Sequence, residues 1–290
     1  TPSSVSTMEK LDYASDTIAV VPGAALSGAR YSGGATGARA NALPTAEPPA
    51  ATPTPQTASD AGAPTPNTGY FGGGSPGLKS TMDKLTYASD TTAAVPGAAL
   101  SAAKYLFAAT GNSTHGYFGG GYASSYISTM DKCTYASDTT AAAPGAALSG
   151  VRIQMAATGN STHGYFGGGA NPSRVSIMDK LTYASDTTAQ VPGAALSTVR
   201  TAPGATGTST HGYFGGGAMP YVTTMEKVTY ASDTPAVVPG AALSVARYYL
   251  GAAGNSTHGY FGGGSSPKVS TMDKCTYSTD TTEALPSGAN

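Results

Sequence analysis

The sequence has no tryptophan, two cysteines and only 11% charged residues in 290, and each shortage removes a class of explanation. An average soluble domain carries about 25% charge. Here Lys and Arg (15) nearly cancel Asp and Glu (16), leaving a formal charge of −1. Without a basic stripe, phosphate neutralisation cannot drive association, so no nucleic-acid partner is expected. No apolar run approaches the length of a membrane-spanning helix, so no membrane span is expected. The opening residues TPSSVSTMEK have neither the basic start nor the apolar core of a secretory signal. Cys133 and Cys275 occupy the same slot of the phrase MDKCTY, where Leu85, Leu181 and Val228 stand in other copies. Such substitutes mark a buried apolar position rather than a redox pair. Equivalent positions of separate repeats are also too far apart for a disulfide.

What is abundant is turn chemistry: 39 glycines and 20 prolines, with alanine, serine and threonine supplying much of the rest. The phrase GYFGGG starts at Gly69, Gly116, Gly164, Gly212 and Gly259, in steps of 47 or 48 residues. A second phrase, MDK or MEK, places methionine at 8, 82, 130, 178, 225 and 272. The first interval is 74 residues, 26 more than the 48-residue step. Residues 41–68, NALPTAEPPAATPTPQTASDAGAPTPNT, account for that excess. This stretch lacks apolar periodicity and reads as an extended linker, a candidate for O-glycosylation. A period of this length marks a repeat architecture.

Each period divides into four short extended pieces. From Lys104, KYLFAAT is the first, GNST a turn, HGYFGG the second, ISTMDKCTY the third, and TTAAAP the fourth, ended by Pro144-Gly145. A strand about every 12 residues is the rhythm of blades and sandwiches. Asp83, Leu85 and Tyr87 share one face of the third strand, and Met82, Lys84 and Thr86 the other. Both faces are mixed, as expected where a sheet packs between two neighbours. The expected fold is all-β, a propeller of five to six four-stranded blades, with a β-solenoid as the alternative. Its expected parts are an N-terminal half-blade over 1–32, an insertion over 33–68 and propeller repeats over 69–290.

Three features resemble the kelch repeat, a propeller motif. A glycine cluster follows an aromatic strand in GYFGGG, and a tyrosine ends the next strand (Tyr87, Tyr135, Tyr183, Tyr230, Tyr277). A basic residue opens the following one (Arg30, Arg152, Arg200, Arg247, with Lys104 substituting). The likeness covers all but roughly residues 33–67 and departs in the fourth strand, where Val95 or Ala143 stands near the usual tryptophan position. The near-identical copies are also similar in style to repetitive propeller proteins of tailed viruses that infect cyanobacteria. The resemblance implies a kelch-like β-propeller.

Bottom-up reasons exist for the same residues. Gly119, Gly120 and Gly121 permit positive φ and close backbone approach, while Tyr117 and Phe118 point to opposite faces and fill both inter-blade seams. No lysine or helix start follows the glycines, as a phosphate loop needs. His115, His163, His211 and His258 share one slot, with Thr68 in the first copy. Rotated copies lie on a ring and do not converge on one ion, so the histidines are read as structural and no metal is expected. The acidic slot (Glu9, Asp83, Asp131, Asp179, Glu226, Asp273) is always followed by lysine and is expected to pair across blades. Glycosidase carboxylates need distinct environments, which repeated positions do not provide. Asp16, Asp90, Asp138, Asp186, Asp233 and Asp280 read as turn residues. A sialidase-type arginine cluster and a copper-type grouping of cysteine, tyrosines and histidines are both missing. Asn112, Asn160 and Asn255 head Asn-Ser-Thr and are candidate glycosylation sites, while the fourth copy has Thr208.

A catalytic site is used once, and every candidate group here is repeated. The expectation is therefore a noncatalytic structural or adhesive protein without a cofactor, extracellular or on a virion surface, in an appendage or fibre. Its expected partners are copies of itself or other structural subunits. The alternative is a carbohydrate-binding propeller whose loop tyrosines Tyr122, Tyr126 and Tyr221 stack on glycans, with a polysaccharide-acting enzyme third. Six copies of the third and fourth strands accompany only five of GYFGGG, so residues 1–30 form a half-blade lacking its first two strands. The open edge leaves three outcomes: a gapped ring, a longer parent chain, or strands donated by a neighbour. The expectation is donation, with residues 1–30 joining subunits and 41–68 giving the reach.

Overall fold

Glycine and proline set where each strand stops, and β-branched and aromatic residues fill what lies between. The computed structural model describes residues 6–32, 34–37, 68–218, 220–265 and 268–285. A two-stranded sheet comes first, β1 (Glu9–Asp12) with β2 (Thr17–Val20). Blade I follows: β3 (Gly34–Gly37), β4 (Thr68–Gly72), β5 (Met82–Thr86) and β6 (Thr91–Ala94), hydrogen-bonded in chain order. Blades II to V repeat that order over residues 108–142, 156–190, 204–237 and 251–284. First strands of successive blades pack on one another, so they line the axis and the fourth strands lie outermost. The protein is a propeller of five four-stranded antiparallel blades, and the solenoid alternative is set aside.

The repeated phrases land at repeated places. In blade II, Tyr117 lies opposite Lys132 and Phe118 opposite Asp131, a register shared by the other blades. The phrase PGAALS makes only one 3-10 turn, as at Pro96–Ala98. Tyr and Phe do face opposite seams. Tyr117 and Met130 of blade II meet Phe166, Leu181 and Tyr183 of blade III in one cluster. Burying a large apolar side chain contributes about 1.5–3 kcal/mol. With an aromatic from each flanking blade fully buried, the seams hold the ring together. Cys133 and Cys275 sit in different seams, buried and free, so their slot is apolar packing.

One boundary differs from the sequence reading. β3 falls inside the stretch assigned to the insertion, where its Gly-Ala-Thr-Gly repeats residues 204–207 and pairs with β4. The long linker 41–67, with the reach expected of it, lies outside the described residues. The β1–β2 hairpin docks on the chain that carries it. It occupies a sixth position in its own ring, between blades V and I. Asp16 accepts hydrogen bonds from Lys274 and Tyr260, each at 2.5 Å. On the other side Lys10 reaches Asp90 at 2.7 Å and Thr92 donates to the Ala24 carbonyl at 2.8 Å. Among the described residues β1 pairs only with β2, so its axis-facing edge is open.

Candidate functional site

The polar groups singled out in the sequence assemble into two clusters per blade. At the seam that follows each of blades I to V, a second-strand tyrosine and a third-strand lysine converge on a turn aspartate of the next unit. Tyr117 donates to Asp186 at 2.5 Å and Lys132 reaches the same carboxylate at 2.6 Å. The lysine also lies over the tyrosine ring, 5.7 Å from its centroid. Tyr70 and Lys84 converge likewise on Asp138, Tyr165 and Lys180 on Asp233, and Tyr213 and Lys227 on Asp280. Burial pushes the Asp186 carboxyl up, but hydrogen bonds from Lys132 and Tyr117 outweigh it and leave it below the usual range. These aspartates are turn residues at positive φ, as read from the sequence. Their role as cross-seam acceptors was not legible, because it depends on which blade lies alongside.

The second cluster corrects the expected pairing. The acidic slot does not reach a lysine of the adjacent blade. It takes the basic residue that opens its own blade: Arg30 with Asp83 at 2.5 Å, Lys104 with Asp131 at 2.9 Å, and Arg247 with Asp273 at 2.6 Å. Arg152 with Asp179 and Arg200 with Glu226 complete the set. The reason is the pleat: Asp83 and Lys84 project to opposite faces, and the blade's own first strand brings the arginine back over Asp83. All five carboxylates are fully buried. Burial pulls the Arg152 and Lys104 pKa values down despite the paired carboxylates.

Backbone groups near the axis form a third repeated feature. The residue two places after each basic residue has positive φ: Ser32, Leu106, Gln154, Ala202 and Tyr249. Each of the last four donates its N–H to the carbonyl of the one before, at 2.7–3.0 Å. The last glycine of GYFGGG joins the same end of the ring. Gly121 N–H donates to the Arg152 carbonyl at 2.8 Å, and Gly74, Gly169 and Gly217 do the same to the next blade. Gly120 has φ +68, and a Cβ there would stand 2.8 Å from the Arg152 carbonyl oxygen. Glycine is required at that point.

The four histidines stay apart, each the first residue of its blade's second strand. Thr114 Oγ1 lies 2.8 Å from His115 Nδ1, and the other three copies match it. The cap of the loop is Asn112, whose Oδ1 accepts from the Thr114 and His115 N–H groups at 2.9 Å. Thr208 makes the same turn with its hydroxyl, so the geometry does not depend on asparagine. Asn112, Asn160 and Asn255 are half-buried. Among the described residues no three His, Cys, Asp or Glu side chains gather as metal donors.

The tyrosines proposed as glycan contacts fall into two groups at the opposite end, among the loops joining second to third strands. Tyr122 packs edge-on against Tyr105 and Tyr126, and both Tyr122 and Tyr126 are half-buried. Tyr221 is 42% exposed and stacks on Tyr248, which in turn meets Tyr249. Tyr105, Tyr248 and Tyr249 were not singled out in the sequence, since their place beside these loops depends on the return of each blade to the axis. No family model matches this chain, and no curated protein matches it in sequence.

Proposed function

We propose that this propeller is a noncatalytic structural or adhesive module of kelch-like type, working outside the cytoplasm in an appendage or surface fibre such as that of a virus. The observation that carries this reading is the identical use of titratable groups from blade to blade. Acid meets arginine or lysine, turn aspartate meets tyrosine and lysine, and histidine meets threonine. Catalysis needs a group whose environment departs from its neighbours', and equivalent pairings level those differences. A recess lined by Lys132, Thr140, Pro144 and Asp186 has its two charged groups joined to each other. Gold-labelled antibody against the chain should decorate the surface of intact particles from its source. Labelling confined to cell interiors, or glycan turnover abolished by a single carboxylate substitution, would overturn the reading.

A second reading rests on one specific feature, the exposed ring of Tyr221 stacked at 5.3 Å on Tyr248. An aromatic face beside polar loops suits a sugar ring. Glycan-array binding that is lost in Tyr221→Ala would favour a lectin, with Tyr122 and Tyr126 as further contacts.

A further inference from the structure

We propose that the open edge of β1 is a binding site for a β-hairpin of the repeat's own chemistry. Such a hairpin has a cation at its head, a turn, and a second strand reading Gly-Tyr-Phe-Gly-Gly. The groups around this edge each match a group that is satisfied in the complete blades.

Glu9 is the first. Its five counterparts in the acidic slot are buried and paired with the basic residue heading the blade, whereas Glu9 is exposed. No basic side chain meets it among the described residues. Asp90 is the second. Asp138, Asp186, Asp233, Asp280 and Asp16 each take a tyrosine hydroxyl and a lysine, while Asp90 takes Lys10 alone among the described residues. The backbone adds two more. The axial ladder runs from Ser32 to Tyr249 and stops, leaving the Ser32 N–H and the Tyr249 carbonyl as its described ends. Gly264 is the one third glycine of GYFGGG whose N–H has no carbonyl of a following blade among the described residues.

These groups define the occupant by spacing. In blades II to V the second-strand tyrosine follows the basic residue by 13 positions: Lys104 and Tyr117, Arg152 and Tyr165, Arg200 and Tyr213, Arg247 and Tyr260. A guest with a cation at one position, a positive-φ residue two places on and a tyrosine 13 places on would meet all of them at once. The cation would face Glu9, with its carbonyl accepting from Gly264. The residue two places on would bridge Tyr249 and Ser32, and the tyrosine hydroxyl would reach Asp90. The second strand would hydrogen-bond along β1 from Met8 to Asp12, as β4 does along β5. Residues 38–67 of the chain contain Arg39 but no Tyr or Phe, so they cannot supply the cation and the tyrosine together.

The test uses the full chain and a fluorescein-labelled synthetic peptide copying residues 151–170, which carries Arg152, Gln154 and Tyr165. Saturable binding by anisotropy is expected, with slowed hydrogen exchange at amides 9, 11 and 32, the ones that face the open edge, and unchanged exchange in blade III. Glu9→Arg should weaken binding at least about tenfold, the loss of a charge-assisted hydrogen bond. A peptide with Arg152→Glu should restore binding to that variant. Asp90→Ala lies outside the half-blade and gives a second arm, in which the peptide change Tyr165→Phe should no longer matter. No binding, binding indifferent to both variants, or amides 9 and 11 already protected in the chain alone would overturn the proposal.

Discussion

Lys274 holds its ammonium 2.5 Å from the Asp16 carboxylate, joining residues 258 positions apart. Tyr260 donates to the same carboxylate, and hydrogen bonds from Lys274 and then Tyr260 hold Asp16 below the usual carboxylate range. Asp16→Ala should loosen the β1–β2 hairpin at a cost of about 1–2 kcal/mol, the low part of the range for charged hydrogen bonds because water reaches the site. Hydrogen exchange should rise over residues 9–20 and stay unchanged in blade III. A uniform rise would show that the hairpin does not open separately.

The buried Arg152–Asp179 pair behaves differently. Removing one charge strands the other in a dry seam, so Asp179→Ala should cost about 3–5 kcal/mol in urea unfolding. The double variant Arg152→Met with Asp179→Leu should recover much of that loss. A single-variant cost below about 1 kcal/mol would contradict the reading of this pair as fully desolvated.

Two glycines should respond in opposite directions. Gly120→Ala forces a left-handed residue and a Cβ 2.8 Å from a backbone oxygen, so a loss of about 2–3 kcal/mol is expected. At Gly150 a Cβ meets nothing within 4 Å, and Gly150→Ala should be neutral or stabilising by up to about 1 kcal/mol. Thermal melts of the two variants would check the contrast.

Acid should destabilise the ring in two stages. Burial, then a nearby lysine, holds His115, His163 and His211 below the ordinary histidine range. The fold prefers these rings neutral, so stability falls as pH drops through the unfolded histidine value near ~6.5. The lowered carboxyls of Asp16, Asp186, Asp233 and Asp280 act later. Their contribution is complete above the unfolded value near ~3.9 and is lost as pH falls through the still lower folded values. Melting temperatures from pH 9 to 3 should show both stages, and His163→Gln should shrink only the first.

The 47- and 48-residue spacings made the blades legible, and alternation along GYFGGG placed Tyr117 and Phe118 in opposite seams. What escaped were relations set by rotation rather than by sequence distance. Lys132 does cross a seam, but to Asp186, because the neighbouring blade presents its turn there rather than its third strand. β3 escaped for a different reason. Its four small residues carry no aromatic or β-branched signal beyond Thr36, and only the match to residues 204–207 identifies them.

The axial ladder is built from main-chain groups alone, so beyond an N–H and a left-handed backbone, which disfavour proline and β-branched residues, it makes little demand on which side chain each rung carries. Serine, leucine, glutamine, alanine and tyrosine all occupy that rung, at positions 32, 106, 154, 202 and 249. In a chain whose copies are otherwise almost verbatim, these are places where the wording is free. The ring thus separates what holds it together from what it shows: an invariant frame carrying an exchangeable inscription at one mouth of its axis. Side chains there can be rewritten one by one, and the recognition properties of that mouth altered, without touching any bond that closes the seams.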